Sequence, residues 1–319
     1  VNVEEHTGGE IFEPIKITNF EERTRAQIKI EDGCNRFCAY CIIPYARGRV
    51  RSKDINELKE EATDLASKGF REIVLVGINL SCFGQDTNLN LCDAVETVAS
   101  VDGIDRVRLS SLEPERLDPE FIERLAKCDK LCPQFHLSLQ SGCDETLKRM
   151  NRHYDTEEYR TIVNNLRKAF KDCAITTDVM VGFAGETEEE FTELCEFIKE
   201  AKFERMGCFP YSIEEGTPAA TFPDQIDEDV KNHRAEIVMD QQSYIMDEFL
   251  QNQIGKEMEV VCEGYDRYAE CYFGRSYQDA PDVDTVTFFT AGEDKPTVGE
   301  FYKIKITDFI DSSLVGEII

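Results

Sequence analysis

No stretch of this chain is apolar enough to cross a membrane: its longest apolar runs, such as Ile73–Ile78, fall far short of the ~18 residues that a span needs. A basic segment followed by an apolar one, the mark of a secretory leader, is also missing, so the expected location is the cytoplasm, with no membrane partner. Positive charge is scarce. The 36 Lys and Arg stand against 64 Asp and Glu, a net charge of -28. Nonspecific nucleic-acid binding draws on Lys and Arg that displace counterions, so this balance argues against it over the whole surface and leaves a local basic groove open. Internal repeats and low-complexity tracts are absent. Cysteine is absent from residues 1–33. Residues 1–24 show no hydrophobic period and are expected to be a linker that follows an N-terminal domain lying before Val1.

What is present describes a globular protein. The chain has 319 residues, is 41% hydrophobic and has a mean hydropathy of -0.41, enough for a large domain and a small one. Thirteen cysteines in a chain without an export signal point to reduced thiols with a metal or catalytic role rather than to disulfides. From Ala26 onward, short apolar runs alternate with 3.6-period segments. Strands are expected at Ala26–Ile30, Arg71–Ile78, Arg106–Ser111, Gln134–Leu139, Ile175–Phe183 and Arg205–Tyr211. Helices are expected between them, such as the one from Asp54 to a glycine stop at Gly69 and that over Thr156–Phe170. Six such units predict an α/β fold, a partial (β/α)6 TIM-like barrel over residues 25–252, with its chemistry at the C-terminal strand ends. Residues 226–252 read as one charged helix. The texture then changes to short β runs (Met258–Cys262, Ala269–Phe273, Thr285–Thr290, Phe301–Thr307 and Leu314–Ile318) separated by turn signals at Asp279–Pro281 and Gly292–Asp294. This predicts a small all-β barrel of oligonucleotide-binding type over 256–319.

The chemistry centres on Cys34-Asn-Arg-Phe-Cys38-Ala-Tyr-Cys41. Three thiolates within eight residues can wrap one small metal centre. Structural zinc takes four protein ligands, and no fourth Cys or His lies within forty residues downstream, the nearest being Cys82. A [4Fe–4S] cube on three cysteines keeps one iron open for a substrate or cofactor. Zinc and inert core thiols remain the alternatives. Arg47, Arg49, Arg51 and Lys53 follow as a basic comb, and alternation along an extended segment puts the three arginines on one side, where they suit phosphates. Most of the other ten cysteines read as small buried hydrophobes.

The C-x3-C-x2-C spacing after the first strand resembles the radical S-adenosylmethionine (SAM) superfamily. Further runs, Lys29-Ile-Glu-Asp-Gly-Cys34, Cys41-Ile-Ile-Pro-Tyr-Ala-Arg-Gly48, Leu109-Ser-Ser-Leu-Glu-Pro114, His136-Leu-Ser-Leu-Gln-Ser-Gly142 and Asp178-Val-Met-Val-Gly-Phe-Ala-Gly-Glu186, resemble its methylthiotransferases. The resemblance implies a [4Fe–4S] cluster on Cys34, Cys38 and Cys41 whose open iron takes SAM and generates a deoxyadenosyl radical. It implies SAM contacts from Tyr40, Gly77, Glu113, Gln140 and Asp178, a TRAM-like C-terminal barrel, and a flavodoxin or ferredoxin as electron donor. It also implies a second [4Fe–4S] cluster, held by three cysteines of the missing N-terminal domain.

The substrate signals divide. Arg25-Ala-Gln-Ile-Lys-Ile-Glu-Asp-Gly-Cys34 and Leu147-Lys-Arg-Met-Asn-Arg152 are similar to the branch that thiomethylates N6-threonylcarbamoyladenosine beside the tRNA anticodon. Gly207–Pro218 and Gly274–Asp282 are similar to the branch that modifies an aspartate of a small-subunit ribosomal protein. Residues 256–319 hold 6 Lys/Arg and 14 Asp/Glu, a charge that repels phosphate and suits a basic protein, although Tyr272, Phe273 and Phe288 offer faces for base stacking. The larger barrel segment ranks the tRNA anticodon stem-loop first, with Arg47, Arg49 and Arg51 as its phosphate contacts. The ribosomal protein comes second, and a noncatalytic iron–sulfur or zinc scaffold is the reading from another class.

Overall fold

The computed structural model describes residues 10–13, 24–280, 284–292 and 295–319. Residues 1–9 and 14–23 of the expected linker fall outside the described residues, as do 281–283 and 293–294 in the two turn signals. The first strand, β1 (Arg25–Lys29), buries Ala26 and Ile28 on its alternating face. A two-residue antiparallel pairing follows, β2 (Glu31–Asp32) with β3 (Arg51–Ser52), and between them lie the Cys loop and a short helix, α1 (Ile43–Ala46). Helix α2 (Ile55–Ser67) begins where Asp54 accepts the Asn56 and Glu57 N–H groups, meeting donors that a helix start leaves without partners. It buries Leu58, Ala62 and Leu65 on one face.

The pattern then repeats through β4 (Glu72–Val76), α3 (Leu91–Ala99), β5 (Arg106–Leu109), α4 (Pro119–Leu125) and β6 (Gln134–His136). It continues through α5 (Asp144–Arg149), α6 (Thr156–Ala169), β7 (Ala174–Val181), α7 (Glu188–Ala201), β8 (Arg205–Pro210) and α8 (Glu228–Gln251). The six long-range strands run parallel in two sheets, β1-β4-β5 and β6-β7-β8. Isolated parallel bridges, Val107 to Leu131 and Leu112 to Leu137, join the sheets across the seam. An open (β/α)6 arc results, as the sequence pattern predicts, with α8 packed on β8.

Strands β9 (Glu257–Asp266), β10 (Cys271–Arg275), β11 (Thr287–Thr290), β12 (Phe301–Ile310) and β13 (Ser313–Ile318) close a barrel in the order β10-β11-β13-β12-β9. Its core of Val260, Cys262, Phe289, Ile304 and Ile306 includes Leu250 from α8, so the long helix belongs to both bodies.

A polar floor closes the N-terminal end of the arc. Glu72 sits among Arg25 (3.9 Å), Arg106 (3.3 Å) and Arg108 (2.9 Å). Arg108 donates onward to the Ser276 and Tyr277 carbonyls, at 3.1 and 2.8 Å, and Arg25 to that of Asp279. Arg205 pairs with the Asp279 carboxylate at 2.9 Å. The Gly274–Ala280 part of the run that resembles the ribosomal-protein branch therefore plugs the arc, with Ser276, Gln278 and Asp279 buried. Tyr272, Phe273 and Phe288 are half-buried in the small barrel, and Tyr272 stacks on Phe289. The exposed aromatics there are Tyr265 and Tyr268.

Candidate active site

The Cys loop stands at the C-terminal mouth of the arc. Two backbone bonds fix it: the Cys34 N–H donates to Gly48 O (3.0 Å) and the Ala39 N–H to Met150 O (2.9 Å). Gly33, at φ +81°, makes the turn possible, because a Cβ there would lie 2.1 Å from the Arg49 carbonyl oxygen. Cys34 and Cys38 are buried and Cys41 is half-buried, with no disulfide on any of them. Burial pushes the Cys41 thiol pKa up, and the neighbouring Cys38 and Cys34 raise it further. The three sulfurs are thus neighbours, but among the described residues no three Cys, His, Asp or Glu side chains form a finished metal-ligand set.

The donor chemistry nevertheless suits a thiolate-held cluster. Asn79 Nδ2 points at Cys34 Sγ from 3.8 Å, and Arg152 Nη1 donates to Cys38 Sγ at 3.2 Å. Such N–H donors stabilise charge on sulfur and are levers on a cluster's potential. The buried Asn79 Oδ1 has no partner, so the pocket has spare polar capacity beside the thiols.

Neither Asn79 nor Arg152 was among the residues that the sequence singled out. Arg152 gathers the site. Its guanidinium reaches Cys38, the Tyr40 hydroxyl (3.4 Å), the Glu113 carboxylate (2.5 Å) and the Ser138 carbonyl (3.2 Å), and its Nε donates to Tyr154 (3.2 Å). A readable signal existed, since Arg152 closes the Leu147–Arg152 run; a side chain that links four segments leaves no period of its own.

Of the five expected SAM contacts, Tyr40 and Glu113 meet at Arg152. Gly77 follows β4 and lies against Glu31, where a Cβ would fall 2.8 Å from Glu31 Oε2. Gln140 adopts φ 66° and donates its N–H to Asp178 O at 2.9 Å. The Asp178 side chain lines the interior of the arc. It faces His136 Nε2 at 3.4 Å, while His136 Nδ1 meets Thr176 Oγ1 at 3.1 Å. This pair lines a cavity of about 770 Å3 inside the arc, with Val74, Met206 and Phe209 from strands and Met239 and Met246 from α8.

The basic comb needs correction. Arg51 is buried, donating to the Arg47 and Arg49 carbonyls at 2.9 and 3.2 Å and pairing with Asp32 at 3.3 Å. Arg47 is exposed but grips Asp32 with two bonds, at 3.1 and 2.7 Å. Burial would raise the Asp32 pKa, yet Arg47 and Lys29 outweigh it and hold the carboxyl down at about 2. Only Arg49 stays exposed without such an anchor, its guanidinium 4.4 Å from the Phe37 ring centroid. Alternation fails here because β3 is two residues long and folds back on β2. Lys53 is likewise buried, paired with Glu61.

Comparison with known proteins places this geometry. The family model described as Radical SAM superfamily matches residues 28–198, and that of the TRAM domain matches residues 254–319. The tRNA-2-methylthio-N(6)-dimethylallyladenosine synthase of Clostridium botulinum is 40% identical over 296 residues, 92% of this chain and 64% of that protein. The threonylcarbamoyladenosine tRNA methylthiotransferase MtaB of Bacillus subtilis is 39% identical over 298 residues, 93% of this chain and 65% of that protein. The chain thus spans just under two thirds of the length of these relatives. Among solved structures, the radical SAM methyltransferase TsrM of Kitasatospora setae superposes with a TM-score of 0.52 at 17% identity, covering 61% of this chain and 38% of that one. Coproporphyrinogen III oxidase of Escherichia coli gives 0.50 at 13% identity, covering 70% and 52%. At these identities the structural likeness speaks for the fold alone.

Proposed function

Because this chain belongs to the radical SAM superfamily and carries a TRAM domain over residues 254–319, we propose that it acts as a methylthiotransferase on tRNA. The substrate in this proposal is N6-threonylcarbamoyladenosine next to the anticodon, and the product carries a methylthio group. The observation that carries the reading is the loop of three thiols at the arc's C-terminal mouth, with N–H donors aimed at two of the sulfurs. Cys34, Cys38 and Cys41 would hold a [4Fe–4S] cluster, which when bound supplies reductive cleavage of SAM. The protein's own share is placement. Arg152 ties Tyr40, Glu113 and Cys38 into one wall. Gly77 and Gln140 keep the neighbouring strand ends close. The His136–Asp178 pair offers a polar contact in an otherwise largely apolar chamber, and Arg49 offers the phosphate contact. A flavodoxin or ferredoxin as electron donor and a second, sulfur-carrying cluster belong to the same proposal.

The tRNA reading draws support from the two relatives, whose printed activities both concern tRNA; their near-equal identities leave the choice between the two modified adenosines to experiment. The ribosomal-protein reading keeps the acidity of residues 256–319, while much of its other support, the run from Gly274, is engaged in closing the arc. Anaerobic reconstitution tests the core of the proposal. About four irons and a charge-transfer band that SAM perturbs are expected, and stoichiometric zinc without iron would sink it. Methylthiolation assays on stem-loops bearing threonylcarbamoyl- or dimethylallyladenosine, and on the ribosomal protein, then decide the substrate.

A further inference from the structure

We propose that Glu31 is a positioning residue for the cluster site: it holds Asn79 so that the Asn79 carboxamide donates to Cys34 Sγ, and through that bond it sets the reduction potential of a cluster bound there. This rests on the cluster reading above. Glu31 is a carboxylic acid with 0% of its surface exposed, in the strand that leads into the Cys loop. Its Oε2 accepts the Asn79 backbone N–H at 2.8 Å. Its Oε1 is buried and has no partner. Asn79 is buried as well, with Nδ2 3.8 Å from Cys34 Sγ and Oδ1 also without a partner.

A buried carboxyl with a bare oxygen costs stability unless a partner completes it. An apolar side chain would fill the space but leave the buried Asn79 N–H without its acceptor. Burial pushes the Glu31 pKa up to about 8, so at neutral pH most of this carboxyl is protonated and Oε1 is a donor. In either protonation state Oε2 holds the Asn79 backbone N–H at 2.8 Å, and the same residue's Nδ2 stands 3.8 Å from Cys34 Sγ. That grip fixes the backbone from which the Asn79 carboxamide reaches toward sulfur. Gly77 makes room for it, because any Cβ at that position would press on Oε2.

Hydrogen bonds to cluster sulfurs stabilise the reduced, more negative state and raise the potential. The test is the midpoint potential of the reconstituted cluster, followed by electron paramagnetic resonance without SAM. Asn79→Ala and Glu31→Ala should each lower the midpoint, changing the reduced-to-oxidised ratio at fixed potential about tenfold, or ~59 mV for one electron. Glu31→Gln, which keeps both an acceptor and a donor, should stay at the wild-type value. The double variant Glu31→Ala/Asn79→Ala should move no further than Asn79→Ala, since one residue acts through the other. A wild-type midpoint in Glu31→Ala, or shifts that add in the double variant, would overturn the proposal. If Glu31→Ala does not fold, Gly77→Ala displaces the same carboxyl, and a wild-type midpoint there overturns it equally. A wild-type protein that takes up no iron refutes the cluster reading and this proposal with it; four irons with indifferent variants refute this proposal alone.

Discussion

Replacing Glu72 with Gln removes one negative charge from the centre of the polar floor and changes almost nothing in shape. Glu72 is 1% exposed, and Arg25, Arg106 and Arg108 around it are 4%, 6% and 1% exposed. Without the shared carboxylate, three guanidiniums face one another with carbonyls and peripheral acids as their remaining partners. Breaking a buried ion pair from one side costs about 3–5 kcal/mol, and the clustering of three cations places Glu72→Gln in that range. The control is Glu300→Gln, which breaks the half-exposed pair with Arg71 and should cost about 0–1 kcal/mol. Acid adds a second signature. Burial by itself would raise the Glu72 pKa, but Arg108, Arg106 and Arg25 outweigh it and hold the carboxyl below its ordinary range. Its stabilisation is then complete above the unfolded carboxylate value of about 4.3 and fades as pH falls through the lower folded value. Urea unfolding followed by circular dichroism at pH 7 and across pH 5 to 2 reads both effects. Glu72→Gln should unfold at lower urea at pH 7 and lose less on acidification than the wild type. Equal losses in Glu72→Gln and Glu300→Gln, with parallel acid limbs, would refute the reasoning.

Cys38→Ser should abolish the charge-transfer band of reconstituted protein, whereas Cys92→Ser should leave it intact, because Cys92 lies on α3 with its thiol toward the Phe121 carbonyl. Arg49→Ala should flatten the log–log salt dependence of stem-loop binding by about 0.7–0.9, the share of one phosphate contact. Arg51→Ala should leave that slope alone and cost about 1–3 kcal/mol in urea unfolding, since it strips charged hydrogen bonds from two part-buried carbonyls and from Asp32. Dithionite-reduced, reconstituted protein should cleave SAM to 5′-deoxyadenosine and methionine, and chromatography showing no deoxyadenosine would count against the assignment of Cys34, Cys38 and Cys41.

Much of the arc was legible where a buried strand reads as an apolar run, as in Ile73–Val76, whereas β7 carries Thr176, Thr177 and Asp178 among its apolar residues. Helix α8 was legible from its length alone. The small barrel's strands β9 and β12 each run to ten residues, longer than Met258–Cys262 and Phe301–Thr307, since Glu263–Asp266 and Asp308–Ile310 continue the pairing past the point where acidic residues interrupt the apolar pattern. Helix α5, six residues long, is too short to show a period. The thiols were legible from spacing, which is a local property. Asn79, Arg152 and the true engagement of Arg51 were not, because each is defined by partners up to more than a hundred residues away, such as Cys38 for Arg152.

The floor of the arc also orders events during synthesis. Arg25, Glu72, Arg106 and Arg108 leave the ribosome early, but the carbonyls that complete Arg108 belong to Ser276 and Tyr277, some 168 and 169 residues later. Domains tend to fold as units from the N-terminal side while the chain is still growing. Here the first half-sheet, β1-β4-β5, can pair locally but carries charged groups that stay open to water until the segment between β10 and β11 arrives. The arc therefore reaches its final packing only after the first two strands of the small barrel have been made, and the nascent protein passes through a stage whose exposed end is ionic rather than greasy, a surface that water tolerates while the rest is translated.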